Sequence, residues 1–176
     1  MFGAVRQLGY VVESLDAAVE AWMRGMRVGP WTIMRNVPLH AVYEGKPSVP
    51  VIDLALSYRG DVQIELIQQT NDAPSPYRDP IARKQFGLHH IAFLSDEIND
   101  AVKRGEDAGL KLVFDINMNG GRYVYFASPV PGERTFIEVL QATPQIRQMF
   151  EIGVPAARGW NGSGKPVVID FATLKR

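Results

Sequence analysis

Four residues of this 176-residue chain have the types and spacing that divalent-metal chemistry needs: Gln7, Glu65, His90 and Glu138. Each stands at a matching place of an internal repeat, the kind of signal that decides an architecture before any single element does. Gln7-Leu8-Gly9-Tyr10-Val11 corresponds to His90-Ile91-Ala92-Phe93-Leu94 at an offset of 83 residues. Ile64-Glu65-Leu66-Ile67-Gln68, followed by Thr70, corresponds to Ile137-Glu138-Val139-Leu140-Gln141, followed by Thr143, at an offset of 73. Alternate residues of a strand face one side. Ile64, Leu66, Ile137 and Val139 therefore share a face suited to burial under helices, and Glu65 and Glu138 point to the other. By the same alternation Leu8, Tyr10, Ile91 and Phe93 lie helix-side, while Gln7 and His90 point away. If the two units pair about a pseudo-twofold axis, the four polar groups converge. Two carboxylates, an imidazole and an amide oxygen form a hard, oxygen-rich set that suits an octahedral Zn, Mn, Co, Ni, Fe or Mg ion with positions left for water or substrate. The two negative charges neutralise the ion, which favours chemistry on a substrate enolate.

The elements that must position these groups read as strand, helix and three strands, twice. In the first unit a helix is expected from about Leu15 to Met23, with strands near Trp31–Val37, Val51–Tyr58 and Val62–Gln69; Arg59-Gly60-Asp61 turns between the last two. In the second, a helix over Asp96–Ala108 stops at Gly109, and strands follow near Lys111–Asp115, Arg122–Ala127 and Arg134–Gln141. Asn119-Gly120-Gly121 and Pro129–Gly132 supply turns. This divides the chain into a first module at 1–73, a proline-rich linker at 74–86, a second module at 87–143 and a C-terminal extension at 144–176. In the extension, Pro144 can open a short helix to about Ile152, and the segment closes on apolar Val167–Phe171.

Composition removes other chemistries. With no cysteine there is no disulfide, thiolate site or thiol nucleophile. Nineteen basic residues balance nineteen acidic ones, and no basic face for nucleic-acid phosphates is visible. No apolar run approaches the roughly 18 residues of a membrane span. The first ten residues show no basic-then-apolar signal, so the cytoplasm is the expected compartment. The glycine pairs lack the strand–GxGxxG–helix setting of a phosphate loop.

The segment Gly87-Leu88-His89-His90-Ile91-Ala92-Phe93, with Ile64-Glu65-Leu66-Ile67 before it and Phe136-Ile137-Glu138-Val139 after it, resembles the vicinal-oxygen-chelate superfamily over roughly residues 4–143. Glyoxalase I, methylmalonyl-CoA epimerase, extradiol dioxygenases and bleomycin-resistance proteins belong to that group. The resemblance implies an α+β fold of two tandem βαβββ modules forming a curved sheet cleft. It also implies metal ligands at four places, which fall here on Gln7, Glu65, His90 and Glu138. Gln-Glu-His-Glu is the ligand set of the eukaryotic type of glyoxalase I. Extradiol dioxygenases use two His and one Glu, and their first His falls on Gln7, which disfavours that reaction. Bleomycin-binding relatives generally lack the full set. The glutathione-gripping Arg and Asn positions of glyoxalase I fall on Val11, Gln69 and Phe86, so that substrate does not carry over. Methylmalonyl-CoA epimerases are nearer in length and in Gly60-Asp61. Their extra catalytic Glu would lie in the stretch Ser48–Asp53, where Asp53 is the one carboxylate.

The function expected is a metal-dependent isomerase, epimerase or lyase that removes a proton next to a carbonyl through a metal-stabilised enolate, acting on a small carbonyl or thioester compound. Glu138 would move the proton, with Glu65 on the other side. The alternative is a small-molecule sequestering protein of the bleomycin-resistance type. His40, Tyr43 and Arg122 are candidates for the substrate pocket. His89, facing away from His90, reads as structural, and Trp22, Trp31 and Trp160 as core or interface residues. The apolar extension and the exposed sheet edges suggest a homodimer.

Overall fold

In a computed structural model that describes residues 1–118 and 120–174, the two modules pair through their first strands. β1 (Val5–Val11) runs antiparallel to β7 (Gly87–Ser95), with Gly9 opposite His90. On its other side β1 runs parallel to β6 (Val62–Gln69), with Gly9 opposite Glu65. β7 in turn runs parallel to β10 (Phe136–Gln141), with Glu138 opposite Ala92. All four repeat strands are thus neighbours at the centre of one sheet. Outward on one side lie β5 (Val51–Arg59) and β2 (Thr32–Pro38); on the other lie β9 (Gly121–Phe126) and β8 (Leu112–Met118). This is the expected α+β fold of two βαβββ modules. Asn119, expected in the turn before β9, lies outside the described residues.

The helices cover the convex face. α1 (Leu15–Ala21) starts at Ser14, whose hydroxyl accepts from the Ala17 N–H, and buries Leu15 and Val19 over Ile64 and Leu66. A π-helical turn, Trp22–Met26, prolongs it. α3 (Ile98–Asp107) buries Ile98, Ala101 and Val102 over Val124 and Val139. A one-turn helix, α2 (Arg78–Ala82), interrupts the linker.

Three features lie beyond the repeat. The ten residues by which the first module is longer include a hairpin, β3 (Ala41–Tyr43) and β4 (Lys46–Ser48). On its other side β3 pairs with β8, the outer strand of the second module. Only Leu39 and His40 separate β2 from β3, yet β2 stands second and β3 tenth in the eleven-strand order. Two residues reach at most about 7–11 Å, so the sheet must curl until its two ends meet. The result is a nearly closed half-barrel with a deep concave face.

The extension packs on its own chain. α4 (Pro144–Arg158) is capped by Thr143, whose hydroxyl accepts from the Ile146 N–H, and lies over the concave face. It runs past the expected end at Ile152 and through Pro155. The Tyr58 hydroxyl donates to the Met149 carbonyl, Phe150 is buried and Arg158 pairs with Asp61, and these anchors offset the backbone bond that Pro155 removes. The last strand, β11 (Val167–Asp170), joins β2 in parallel at the sheet edge. No helix of the described residues is long and apolar enough to cross a membrane.

Candidate metal centre

Register and pleat bring Gln7, Glu65, His90 and Glu138 together on the concave face, where Glu65, His90 and Glu138 each offer a ligand atom within 4.8 Å of the others. His90 Nε2 stands 3.2 Å from Gln7 Oε1, 3.3 Å from Glu65 Oε2 and 3.1 Å from Glu138 Oε2. Neighbouring ligands of an ion held at about 2.1 Å are themselves about 3 Å apart. The donors present therefore fit a small divalent ion. His90 is wholly buried, and Glu138 and Gln7 are nearly so.

The tautomer of His90 follows from its neighbour. His89 Nε2 faces the Pro76 carbonyl at 3.2 Å, and a carbonyl can only accept, so that nitrogen carries the hydrogen. Burial and the adjacent His90 push the His89 pKa down to about 3, so the ring is neutral and its Nδ1 is an acceptor. His90 Nδ1, 3.1 Å away, must then donate to it. That leaves the Nε2 lone pair of a neutral His90 aimed at three oxygen atoms, an arrangement that only a proton or a cation at Nε2 relieves. Burial opposes a charge on His90, but Glu138 and Glu65 raise its pKa on balance. The Glu138 side chain carries the same tension. Its Oε2 is buried and faces only the His90 Nε2 3.1 Å away. Burial, against the pull of His90, lifts its carboxyl to about 7. A buried carboxylate oxygen that faces a lone pair suits a cation or a proton between the two.

His89 reaches His90 because the strand is irregular. Opposite Gly9 and Tyr10 stand His90 and Leu88, so His89 is the extra residue of a β-bulge. The alternation expected through this segment fails there, and both histidines are buried instead of facing opposite ways. A second bulge at Arg6 aims its guanidinium over the Phe150 ring, 4.7 Å from the centroid.

Gln7 is held by a relay that the sequence did not signal. Its Nε2 donates to Gln63 Oε1 at 2.7 Å; Gln63 Nε2 donates to the Tyr58 hydroxyl at 2.7 Å; and Tyr58 donates to the Met149 carbonyl of α4 at 2.9 Å. The relay fixes the amide so that its oxygen, not its nitrogen, faces His90. Tyr77 and Tyr125 form a buried hydroxyl pair at 3.0 Å, and Tyr125 also bonds Glu138.

A family model for the glyoxalase/bleomycin resistance protein/dioxygenase superfamily matches residues 6–126. The chain belongs to that superfamily. No curated protein matches it. Among solved structures, a hypothetical protein from Bacillus halodurans C-125 superposes with a TM-score of 0.61 at 15% identity, over 81% of this chain and 96% of that one. A methylmalonyl-CoA epimerase variant from Streptomyces coelicolor, solved with 2-nitronate-propionyl-CoA, gives 0.55 at 17% over 82% and 97%. The Mycobacterium tuberculosis methylmalonyl-CoA epimerase gives 0.54 at 16% over 82% and 91%. At these identities the likeness is one of fold.

Within this superfamily fold the remaining candidates fall elsewhere. Arg122 lies on the face toward α3, where it makes two bonds to Asp115 and one to Asn99. His40 is exposed, and its carbonyl accepts from the Asn117 N–H. Tyr43 lines a different cavity, between the linker and β7. None of the three lines the cavity over the candidate metal ligands, because pleat and pairing turn them away from the concave face. Asp53 is likewise on the convex side, paired with Arg35 at 2.8 Å. Gln69 is spent on the linker, bonding the Asn71 and Ala73 carbonyls and Ser75. Trp31 is core, and Trp22 packs against its edge; Trp160 covers Gly29.

Proposed function

We propose that this superfamily member is a metal-dependent isomerase, epimerase or lyase that removes a proton from carbon next to a carbonyl. One observation carries the reading: a neutral-side lone pair of His90 and the unpartnered Oε2 of Glu138, both buried, aim at the same point as Glu65 and Gln7. A divalent ion bound there supplies Lewis-acid polarisation of a substrate carbonyl and stabilises the charge that develops on its oxygen. Zn, Ni, Co, Mn, Fe and Mg all suit the donors.

The chain's own residues do the rest. Glu138 and Glu65 flank the space in front of His90 and can each hold a proton taken from substrate carbon, so that removal and return on opposite sides invert a centre. Glu138 is the chosen base because desolvation raises the proton affinity of its carboxylate. The Tyr125 hydroxyl orients it, and His89 and Gln63 orient His90 and Gln7.

Two carboxylates with one imidazole, in place of two imidazoles, argue against dioxygen chemistry. Sequestration of a small molecule is the second reading, favoured by the apolar character of the cavity above the ligands. Metal analysis of the purified protein, followed by deuterium exchange at carbon in D₂O with thioester, α-keto and α-hydroxycarbonyl compounds, tests the choice. Near one ion per chain with exchange that Glu138→Gln abolishes supports the enzyme. A metal-free protein that binds such compounds tightly without exchange would replace it with sequestration. The working unit in this reading is a homodimer.

A further inference from the structure

The floor of the concave cavity carries Gln7, Glu65 and Glu138, and the residues above it are mostly apolar, with Thr143 and Gln145 at the start of α4 uncharged exceptions. The space measures about 160 Å³, close to the roughly 150 Å³ at which an apolar protein cavity admits benzene. Leu54 and Leu56 of β5 form one wall, and Ile116 and Met118 of β8 the other. Among the described residues that line it there is no lysine, arginine or histidine. The Arg6 guanidinium is stacked on Phe150, and Arg6 is not among the lining residues.

The roof is α4. Ile146, Met149 and Phe150 face down into the cavity, and this helix begins 18 residues beyond the end of the superfamily match at residue 126. It sits unusually close: a Cβ on Gly153 would lie 2.0 Å from the Tyr58 ring, so only glycine lets the helix settle there. The bond from Tyr58 to the Met149 carbonyl then fixes its height. The roof is thus a built surface and not a loose tail.

We infer that the substrate of this site carries a small uncharged hydrocarbon body, about the size of a five- or six-carbon chain or one aromatic ring, and that α4 selects it. The inference rests on the metal-centred function for the orientation of the substrate, with its oxygen atoms on the ligand floor and its hydrocarbon end under Ile146 and Met149. A carboxylate or phosphate at that end would be buried against hydrocarbon with no cation to pair with. Any charged carrier attached to the substrate must therefore lie outside this apolar end.

Two probes separate this from the function itself. Toluene, which needs no metal, is titrated against metal-free full-length protein by calorimetry. Acetohydroxamate, butanohydroxamate, hexanohydroxamate and benzohydroxamate, with the mono-hydroxamate of succinate as the charged member, are titrated against protein loaded with zinc. Toluene binds, and hydroxamate affinity rises about fourfold per methylene until the cavity fills, while the succinate compound is at least about 100-fold weaker than butanohydroxamate. Met149→Trp and, as a second filled variant, Ile146→Phe abolish toluene binding and flatten the chain-length series. A flat series in the wild type, or succinate binding as tight as butanohydroxamate, overturns the inference. Toluene binding with no hydroxamate binding at all sinks the metal-centred function and leaves the apolar selection standing.

Discussion

The His90 ring occupies the space that a side chain on Gly9 would need. Gly9 has Glu65 as its partner on one side and His90 on the other, and a Cβ there would stand 1.9 Å from His90 Cε1 and 2.0 Å from Nε2. A residue with no chemistry of its own therefore decides where the imidazole lies. Gly9→Ala must push the ring off the point where the oxygens converge. The expected result is a loss of metal affinity of at least about 100-fold in a chain whose four ligands are intact, comparable to removing an orienting group outright. Competition against a chromophoric chelator reads it. Wild-type affinity in Gly9→Ala would show that the ring has another place to go.

His89 is expected to matter through the hydrogen it accepts. His89→Phe keeps the ring volume between Tyr77 and Phe136 but leaves His90 Nδ1 without its acceptor, so metal affinity should fall about 10–100-fold. His89→Asn, which can still accept, should recover part of the loss. Equal affinity in His89→Phe would mean that the tautomer is set by the metal alone.

Gln63→Leu removes the acceptor that holds the Gln7 amide and cuts the link to Tyr58. About a tenfold loss in metal affinity is expected. Combining it with Gln7→Ala should add little, because the two act as one unit. Full additivity in the double-mutant cycle would separate them.

The pH dependence of the metal-free protein has a definite sign at Glu138. Its folded carboxyl titrates at about 7 against an ordinary value of 4.5, so the folded state binds more protons across that window and this group's contribution is lost as pH rises through 7. His89, held down at about 3, acts oppositely and destabilises as pH falls below its ordinary 6.5. Glu138→Gln should therefore raise the melting temperature of metal-free protein at pH 8 by about 2–6 °C and have little effect at pH 5. The same substitution should weaken metal binding. In the wild type, metal affinity should fall as pH drops below about 7, because the ion competes with the Glu138 proton. A Glu138→Gln protein less stable at pH 8 than the wild type would contradict the buried, strained carboxylate.

The assembly prediction is tested by light scattering. β11 adds a strand to the sheet edge yet leaves Val167 at 61% and Val168 at 59% exposure, so the edge it presents is apolar. Full-length protein should be a dimer, and Val167→Lys with Val168→Lys should shift it toward monomer. A chain ending at Thr143 should lose affinity for toluene whatever its assembly state, since it lacks the roof. A monomeric wild type would exclude the dimer.

Gln7, Glu65, His90 and Glu138 could be picked from the sequence because a tandem repeat duplicates position together with residue pattern, so like strands of like modules carry groups to like places. The βαβββ order was legible for a similar reason: alternation within strands and the stops at Gly60 and Gly109 are local. The alternation rule fails at His89, where one extra residue in the bulge reverses the faces, and nothing local in Leu88-His89-His90 marks the insertion. Whether Arg122 or Tyr43 faced the cavity was equally invisible, because the face that becomes concave is set by how the sheet curls. That curl is closed by pairing β3 with β8, strands some seventy residues apart, and main-chain pairing leaves no signature in side-chain type. Gln63 and Tyr58 gained their roles only when Met149 came down over them, and α4 ran through Pro155 because distant anchors outweighed a local break. The sequence by itself determined the candidate ligands and their family of folds. The tertiary structure alone decided how they are oriented and what covers them, since both depend on contacts between residues that the chain brings together only at the end.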